Sequence, residues 1–559
     1  MSHIDLALDY ADGVINGDIP ACKYVRWACQ RQIDDLQNPP AGYYFDVDLA
    51  EHICKFSELM PHIKGEWAAS RQKITLEPWQ AFILTTVFGW RNDQKYRRFK
   101  IAYVEVPRKN AKSTICSCVG LYCLAADGEP GAEVYSAATN RDQAKIVWRD
   151  SKTMAERSPG IKTRFGVETS AHSIFIEENA SFFKPLARDM GGNLDGLNIH
   201  CGIIDELHGH KTRHVWDVVE TGTGSRTSPL IFAITTSGFN KAGICYEQRA
   251  DAIRVLDPHN EIKDEELFGI IYTIDDEDDW KEESSWIKAN PNWGVSVKPD
   301  DIRRKARKAM RTPSAQNNFL TKHLCVWTNA GTGWMNMVDW DRAGNSDLDE
   351  RDFEEDELYL GADLASKIDI ASTARLYRRD DKFYLFTSHY LNEDQIFESE
   401  NSQYQGWSIS GHLIETPGNT TDFQAIEDDI TQSAAQPGFK EIAFDPDQAR
   451  YLMQNLIKKN LNVVEVPQNT KNLSEPMKML ESLILERRLE HNNNPVMNWM
   501  VSNVICHTNA KEQIYPRKEF PQNKIDGVIA AIIALNRALV DASKPPSVYD
   551  MENRGINFI

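Results

Sequence analysis

Several short runs along this chain are apolar at every position instead of at alternate ones. KIAYVEV at 100–106, AEVYSAA at 132–138, HCGIID at 200–205 and PLIFAITT at 229–236 have this character, and helical stretches separate them. A strand apolar on both faces is one buried on both faces, so these runs predict a parallel sheet between two helical layers. Upstream, LEPWQAFILTTVFGW at 76–90 reads as an amphipathic helix with Trp79 in the core, and residues 1–75 read as a helical segment leading into it. Beyond residue 357 the style repeats in LYLGADLAS, FYLFTSHYL and EIAFD, and it closes with the apolar helix KIDGVIAAIIALNRALV at 524–540. Residues 472–504 read as a helix followed by a small element that packs Trp499 inside. The economical fold is two α/β domains in series.

Length and charge sharpen that picture. A chain of 559 residues holds two or three cores at about 150 residues per domain. The run SDLDERDFEEDE at 346–357 has eight acidic residues and one basic one, the composition of a solvated linker. It predicts a first domain over 76–345, a second over 358–545 and a tail over 546–559. The net charge of −19 argues against a nucleic-acid coat, but an enzyme that grips DNA transiently needs only one basic channel. Ten cysteines without a Cys-x-x-Cys pair speak against a zinc site and for a reducing compartment. The amino terminus has no signal-peptide pattern and no run of 18 apolar residues occurs, so a secreted or membrane-spanning protein is not expected.

The first strand runs into VPRKNAKST, Val106–Thr114, and then into the apolar helix ICSCVGLYCLAA. Strand, loop, Lys-Ser and helix in that order are the parts of a phosphate-binding loop. In this reading Pro107, Arg108, Lys109, Asn110, Ala111, Lys112, Ser113 and Thr114 wrap a nucleotide. Backbone N–H groups face the phosphate oxygens, Lys112 reaches the β- and γ-phosphates, and Ser113 offers a hydroxyl to Mg²⁺. Val106 and Ala111 stand where the usual pattern has glycines, so on the pattern alone a basic surface turn competes. The second half of the site is CGIIDE at 201–206, a buried strand ending in two acids: Asp205 for the Mg²⁺ shell and Glu206 to polarise the attacking water. A third apolar strand, IFAITTSG at 231–238, ends in Thr235, Thr236 and Ser237, where helicase-like motors sense the γ-phosphate and couple hydrolysis to movement.

In the second domain Asp363 ends one strand, Asp445 ends another, and Asp526 opens the last helix, whose dipole favours a carboxylate. Three acids brought together repel and raise one another's pKa unless cations lie between them. Two Mg²⁺ or Mn²⁺ about 3.5 to 4 Å apart resolve the conflict, one activating water and the other stabilising the leaving oxygen of a phosphodiester. Asp369 and Asp447 lie close in sequence and stand as alternates or supporting groups. The basic run RRKARKAMR at 303–311 faces DNA, another subunit or solvent.

PRKNAKST, GIIDELH, TTSG, ANPNWGVSVK at 289–298 and FLTKHLCVW at 319–327 together resemble the large terminase subunit of tailed double-stranded DNA bacteriophages. The resemblance runs over nearly the whole chain from about Tyr24, and the loop in that family often reads PRKNGKS. It implies a P-loop ATPase domain of the helicase-like, additional-strand type followed by an RNase H-like nuclease. It implies that Gln80 reads adenine, that an arginine finger exists, for which Arg188 is the candidate, and that SAATNRDQAKIVW at 136–148, with Arg141, is a helicase-type segment. The implied cofactors are ATP with Mg²⁺ in the first site and two Mg²⁺ or Mn²⁺ in the second. The implied partners are double-stranded DNA, the portal protein, the small terminase subunit and further copies in a ring on the procapsid, in the host cytoplasm and away from membranes. The activity expected is viral DNA packaging driven by ATP, with cutting of the concatemer. A nuclease-bearing helicase or repair translocase and a non-enzymatic capsid or portal component are the alternatives.

Overall fold

The computed structural model describes residues 1–542 apart from 139–140, 187–195, 211, 242, 261, 329–332, 365–368, 400, 402, 447–449, 510 and 520–521. The chain divides into two compact units, Met1–Thr328 and Asn329–Ile559.

The first unit opens with α1 (His3–Asn16), α2 (Lys23–Gln37), α3 (Val47–Glu58) and α4 (Pro78–Gly89). Ser2 and Asp5 form a capping box that starts α1, and Gly17 in the left-handed region ends it. Residues 1–75 are more than a lead-in, because α1 buries Tyr10, Ala11 and Val14, and the Tyr10 ring lies 5.8 Å from that of Phe82 on α4. For the same reason α4 is not amphipathic. Every residue from Trp79 to Gly89 is buried, since α1 and α3 cover the face expected to meet solvent.

The sheet of this unit comprises β1 (Ile101–Glu105), β2 (Glu133–Ala137), β3 (Val167–Thr169), β4 (Ile174–Ile176), β5 (Ser181–Pro185), β6 (Ile199–Asp205), β7 (Leu230–Thr235) and β8 (Leu267–Ile271). Their order is β8-β1-β7-β6-β2-β5-β4-β3, parallel from β8 to β5 with an antiparallel extension through β4 and β3. Glu105 pairs with Thr235 and Ile234 with Asp205, so the phosphate-loop strand, the hydroxyl-ended strand and the acid-ended strand finish side by side. Open parallel sheets bind ligands at such carboxyl edges. α5 (Lys112–Ala125) follows β1, and α6 (Pro299–Arg311) and α7 (Pro313–Leu324) close the unit. On α6 the basic run is partly neutralised, with Arg303 on Glu283 and Asp300 and Lys305 on Asp301.

The second unit is built on a mixed sheet of β9 (Glu357–Asp363), β10 (Ala371–Arg379), β11 (Lys382–Asn392), β12 (Ile414–Thr416), β13 (Phe439–Phe444), β14 (Val463–Glu465) and β15 (Leu489–His491). The order is β12-β11-β10-β9-β13-β14, with β15 also on β11. β9, β10 and β11 are antiparallel neighbours, and β13 and β14 add parallel to β9. α8 (Asp526–Ala542) packs across β9 and β10. Trp499 is only partly buried and packs against the core from its edge, its ring 5.4 Å from that of Trp407.

The acidic run is not a linker. The units part at Thr328, and 346–357 lies inside the second unit. Phe353 is 4 % exposed and packs against Tyr377, Tyr384 and Phe386. Glu350 binds Arg375 at 2.5 Å and Asp356 binds Arg379 at 2.6 Å, so part of the charge is answered by β10, while Asp347, Asp352, Glu354 and Glu355 are exposed.

Gly361 on β9 sets how closely α8 approaches. A Cβ there would lie 2.2 Å from Ala530 O and 2.7 Å from Ala534 N, both backbone atoms that cannot turn aside. Gly361→Ala is expected to cost the second unit about 1–3 kcal/mol and lower its melting temperature in differential scanning calorimetry, leaving the first unit's transition in place. Two separate transitions of unchanged temperature would contradict this.

Nine cysteines from Cys22 to Cys325 are buried free thiols of the first unit, and Cys506, in the second, is partly exposed. No helix among the described residues is long and apolar enough to cross a membrane.

Candidate functional site

The loop between β1 and α5 borders a cleft of about 680 Å³, which is also lined by Gln80, Trp67 and Glu206. Arg108, Lys109, Ala111, Lys112, Ser113 and Thr114 face it. Lys109 and Ala111 have φ of 75° and 55°, so Ala111 takes the left-handed conformation for which the common pattern uses glycine. That conformation costs a residue with a Cβ roughly 1–2 kcal/mol. Lys112 Nζ donates to Val106 O at 3.1 Å and Pro107 O at 3.4 Å, which holds its ammonium inside the curl of the loop. Gln80 borders the cleft with its side-chain carbonyl accepting from Glu77 N–H at 3.0 Å.

Strain in the loop is opposed by a stitch of neutral hydrogen bonds. Asn110 is fully buried; its amide donates to Pro107 O and Asn290 Oδ1, and its Oδ1 accepts from Asn292 N–H at 3.0 Å. Asn290 donates in turn to Trp286 O and His323 O. Trp79 Nε1 donates to Asn292 Oδ1, and Ser296 Oγ donates to Lys109 O, both at 2.5 Å. From the far side Arg108 N–H donates to Lys322 O at 2.8 Å. Pro107 and Asn110 are therefore frame and not lining.

The acid pair at the end of β6 is split by its surroundings. Burial pushes Asp205 up to about 7, with the neighbouring Glu206 adding to it, while Lys112 opposes. Burial also works against Glu206, but the His208 ring and Lys112 outweigh it and hold this carboxyl down at about 2. His208 Nδ1 stands 3.1 Å from Glu206 Oε2, yet it bonds Thr235 Oγ1 at 3.1 Å, and Glu206 Oε2 is left buried with no hydrogen-bond partner. An ionised carboxyl on the wall of a cleft, in contact with the His208 ring, suits a group that polarises water. Thr235, Thr236 and Ser237 are wholly buried and stand behind the acid pair: Thr236 Oγ1 is 3.3 Å from His208 Nδ1, and Ser237 Oγ donates to Thr321 O and Val326 O.

In the second unit Asp363, Asp369, Asp445 and Asp526 share one region. Burial raises Asp363 well above the usual carboxylate range, with Asp526, then Asp445 and Asp369, adding to it. Asp526, at the first position of α8, is pushed up to about 6 by burial and by Asp369, against Lys518 and Lys524. Asp363 Oδ1 accepts from Gln468 Nε2 at 2.8 Å, and Asp526 Oδ2 is buried without a hydrogen-bond partner. Asp369 is ion-paired with Lys524. Carboxylates that disfavour one another's ionisation, one with an unsatisfied oxygen, fit a site for cations. Among the described residues, ligand atoms gathered within 4.8 Å occur instead at Cys123, Asp127 and His200. There Arg97 and His200 already occupy Asp127, at 2.6 and 2.7 Å, so that cluster is an ion-pair network.

A family model for the terminase large subunit endonuclease domain matches residues 261–542, and one for the ATPase domain matches residues 78–254. The chain belongs to the terminase large subunit family. It carries the ATPase and endonuclease activities of a DNA-packaging motor, with the nucleotide and divalent metal use these entail. Among similar proteins, Protein YmfN of Escherichia coli (strain K12) is 33 % identical over 425 residues, 74 % of this chain and 91 % of that protein. The large terminase subunit of Enterobacteria phage HK97 is 23 % identical over 490 residues, 86 % of this chain and 94 % of its own. The crystal structure of the HK97 large terminase covers 87 % of this chain and 99 % of that one, with a TM-score of 0.43 and 22 % identity.

Within this terminase large subunit, Arg188 and Asp447 lie outside the described residues, as does the side chain of Arg141. His208, Lys322, Asn290, Asn292 and Gln468 are the residues that motif reading left without a role. His208 follows the acid pair by two positions, and the Asn-Pro-Asn of 290–292 is a polar knot beside Trp286 and Trp293; those were the available signals.

Proposed function

We propose that the first cleft binds Mg²⁺–ATP and that its hydrolysis drives duplex DNA into a capsid, while the aspartate cluster cuts that DNA. The observation that carries this reading is the meeting of Lys112, Ser113 and the ionised Glu206 at one cleft. Lys112 and the loop backbone hold the β- and γ-phosphates, and Gln80 borders the base. Ser113 and Asp205 hold Mg²⁺, which supplies neutralisation of phosphate charge. Glu206 takes the proton of the attacking water. Thr235, Thr236 and Ser237 carry the change at the γ-phosphate into the helix end at 321–326, and Arg188 serves as the arginine finger. In the second unit Asp363, Asp445 and Asp526 hold two Mg²⁺ or Mn²⁺, with Asp369 beside them. The partners are the portal protein, the small terminase subunit and further copies of the chain in a ring on the procapsid, in the host cytoplasm.

The test is a packaging reaction containing the purified chain, portal-bearing procapsids, linear duplex DNA and ATP, read as DNA protected from added nuclease. ATP-dependent protection is expected, and none with Lys112→Ala. Unwinding of a forked duplex without protection would favour a nuclease-bearing helicase instead.

A further inference from the structure

We propose that Lys322 is a positioning residue for ATP hydrolysis: it fixes the tautomer of His208 and thereby holds Glu206 in register with the strand end at Thr235 and Thr236. The proposal rests on reading Glu206 as the group that polarises water.

Two independent constraints meet on the His208 ring. An ammonium has donors and no acceptor. Lys322 Nζ lies 2.9 Å from His208 Nε2, so Nε2 accepts and the ring proton resides on Nδ1. At the other end Thr235 Oγ1 donates to Thr236 O at 2.8 Å, which commits its only proton. It accepts from His208 N–H at 3.0 Å and can only accept from Nδ1 at 3.1 Å as well. Lysine and threonine thus demand the same tautomer. Nδ1–H then faces both Thr235 Oγ1 and Glu206 Oε2, each at 3.1 Å, so the ring ties the carboxyl to the strand end.

The groups that face Lys322 are His208, Glu206, Arg108, Lys112 and Cys325, with the Phe239 ring 5.5 Å from Nζ. Burial and then Arg108 lower Lys322 to about 8, so it remains an ammonium at neutral pH. Its backbone carbonyl, which accepts from Arg108 N–H, is untouched by side-chain substitution, so the loop tie and the ring contact can be separated. Without the ammonium, His208 is free to carry its proton on Nε2. Nδ1 and Thr235 Oγ1 would then be two acceptors in contact, and the ring would leave both the strand end and Glu206.

The experiment uses the full-length chain, wild type and with Lys322→Met and Lys322→Arg, measuring kcat and KM for ATP and recording ¹⁵N-histidine spectra. His208→Asn assigns the resonance. Lys322→Met is expected to lower kcat by about tenfold or more, as loss of an orienting group does, to leave KM within about twofold, and to move the proton to Nε2. Lys322→Arg, which restores a cationic donor, should recover most of kcat and keep the Nδ1–H form. Wild-type kcat with Lys322→Met, or an unchanged tautomer, overturns the proposal. A wild-type His208 protonated on Nε2 overturns it without any variant. Glu206→Gln is assayed alongside: undiminished hydrolysis there would sink the reading of Glu206, whereas the wild-type tautomer still decides the link from Lys322 to His208.

Discussion

Glu206→Gln should bind ATP about as well as the wild type and hydrolyse it at least about a hundredfold more slowly, the usual range for losing a general base. The change is confined to chemistry. Glutamine has the same shape, and it meets the same left-handed backbone, φ 52°, that glutamate already tolerates. What disappears is the charge on a carboxyl held at about 2 and with it the capacity to polarise water. Lys112→Ala should abolish turnover for a different reason, because the ammonium inside the curl of the loop is the charge that grips the β- and γ-phosphates. Equilibrium binding of a fluorescent ATP analogue separates the two: retained in the first variant, lost in the second. Hydrolysis by Glu206→Gln at the wild-type rate would mean that the water is polarised by another group.

Asp363→Asn, Asp445→Asn and Asp526→Asn should each reduce metal-dependent plasmid cleavage by about a hundredfold or more, because a two-cation clamp needs the negative charge. ATP hydrolysis, measured on the same samples, should survive. Misfolding can be told apart from loss of chemistry by the direction of the stability change. Asp363 and Asp526 titrate above the ordinary carboxylate value, so each costs stability increasingly as pH rises from its unfolded value through its folded one. A neutral asparagine removes that penalty, and at neutral pH these two variants should melt no lower than the wild type. Excess Mn²⁺ should restore part of the cleavage if the defect is in metal affinity. Undiminished cutting by Asp363→Asn would transfer its role to Asp369.

Much of the first unit was legible because its strands are buried on both faces and say so in apolar runs, and because the phosphate loop and the acid pair lie directly at strand ends. β10 was not legible. Ser372, Thr373 and Arg375 are all buried in it, with Arg375 answered by Glu350, Asp429 and Ser388, so its pattern of polar residues imitates a surface strand. The same pairing hides the place of 346–357, where acidic composition suggests a free linker and the structure anchors Glu350 and Asp356 on arginines of β10. The residues that shape the nucleotide site but were not read from motifs act across long separations. Asn110 meets Asn290 and Asn292, His208 meets Lys322, and no local spacing encodes such contacts. The candidate aspartates stood out for the opposite reason: Asp363 ends β9, Asp526 opens α8, and Asp445 directly follows β13.

The distribution of thiols gives the two units different chemical visibility. Burial raises Cys22, Cys116, Cys245 and Cys325 above the ordinary thiol value, so in the folded protein they present almost no thiolate to an alkylating reagent at neutral pH. Nine buried cysteines belong to the first unit and one, the partly exposed Cys506, to the second. Alkylation therefore proceeds through transient openings of the first unit, at a rate set by how often each segment is exposed. Cys22 and Cys29 report on α2, Cys54 on α3, Cys116, Cys118 and Cys123 on α5, and Cys201 on the strand that ends in the acid pair. The chain thus carries a native set of reporters that maps the opening of the nucleotide-binding unit segment by segment and is nearly silent about the nuclease.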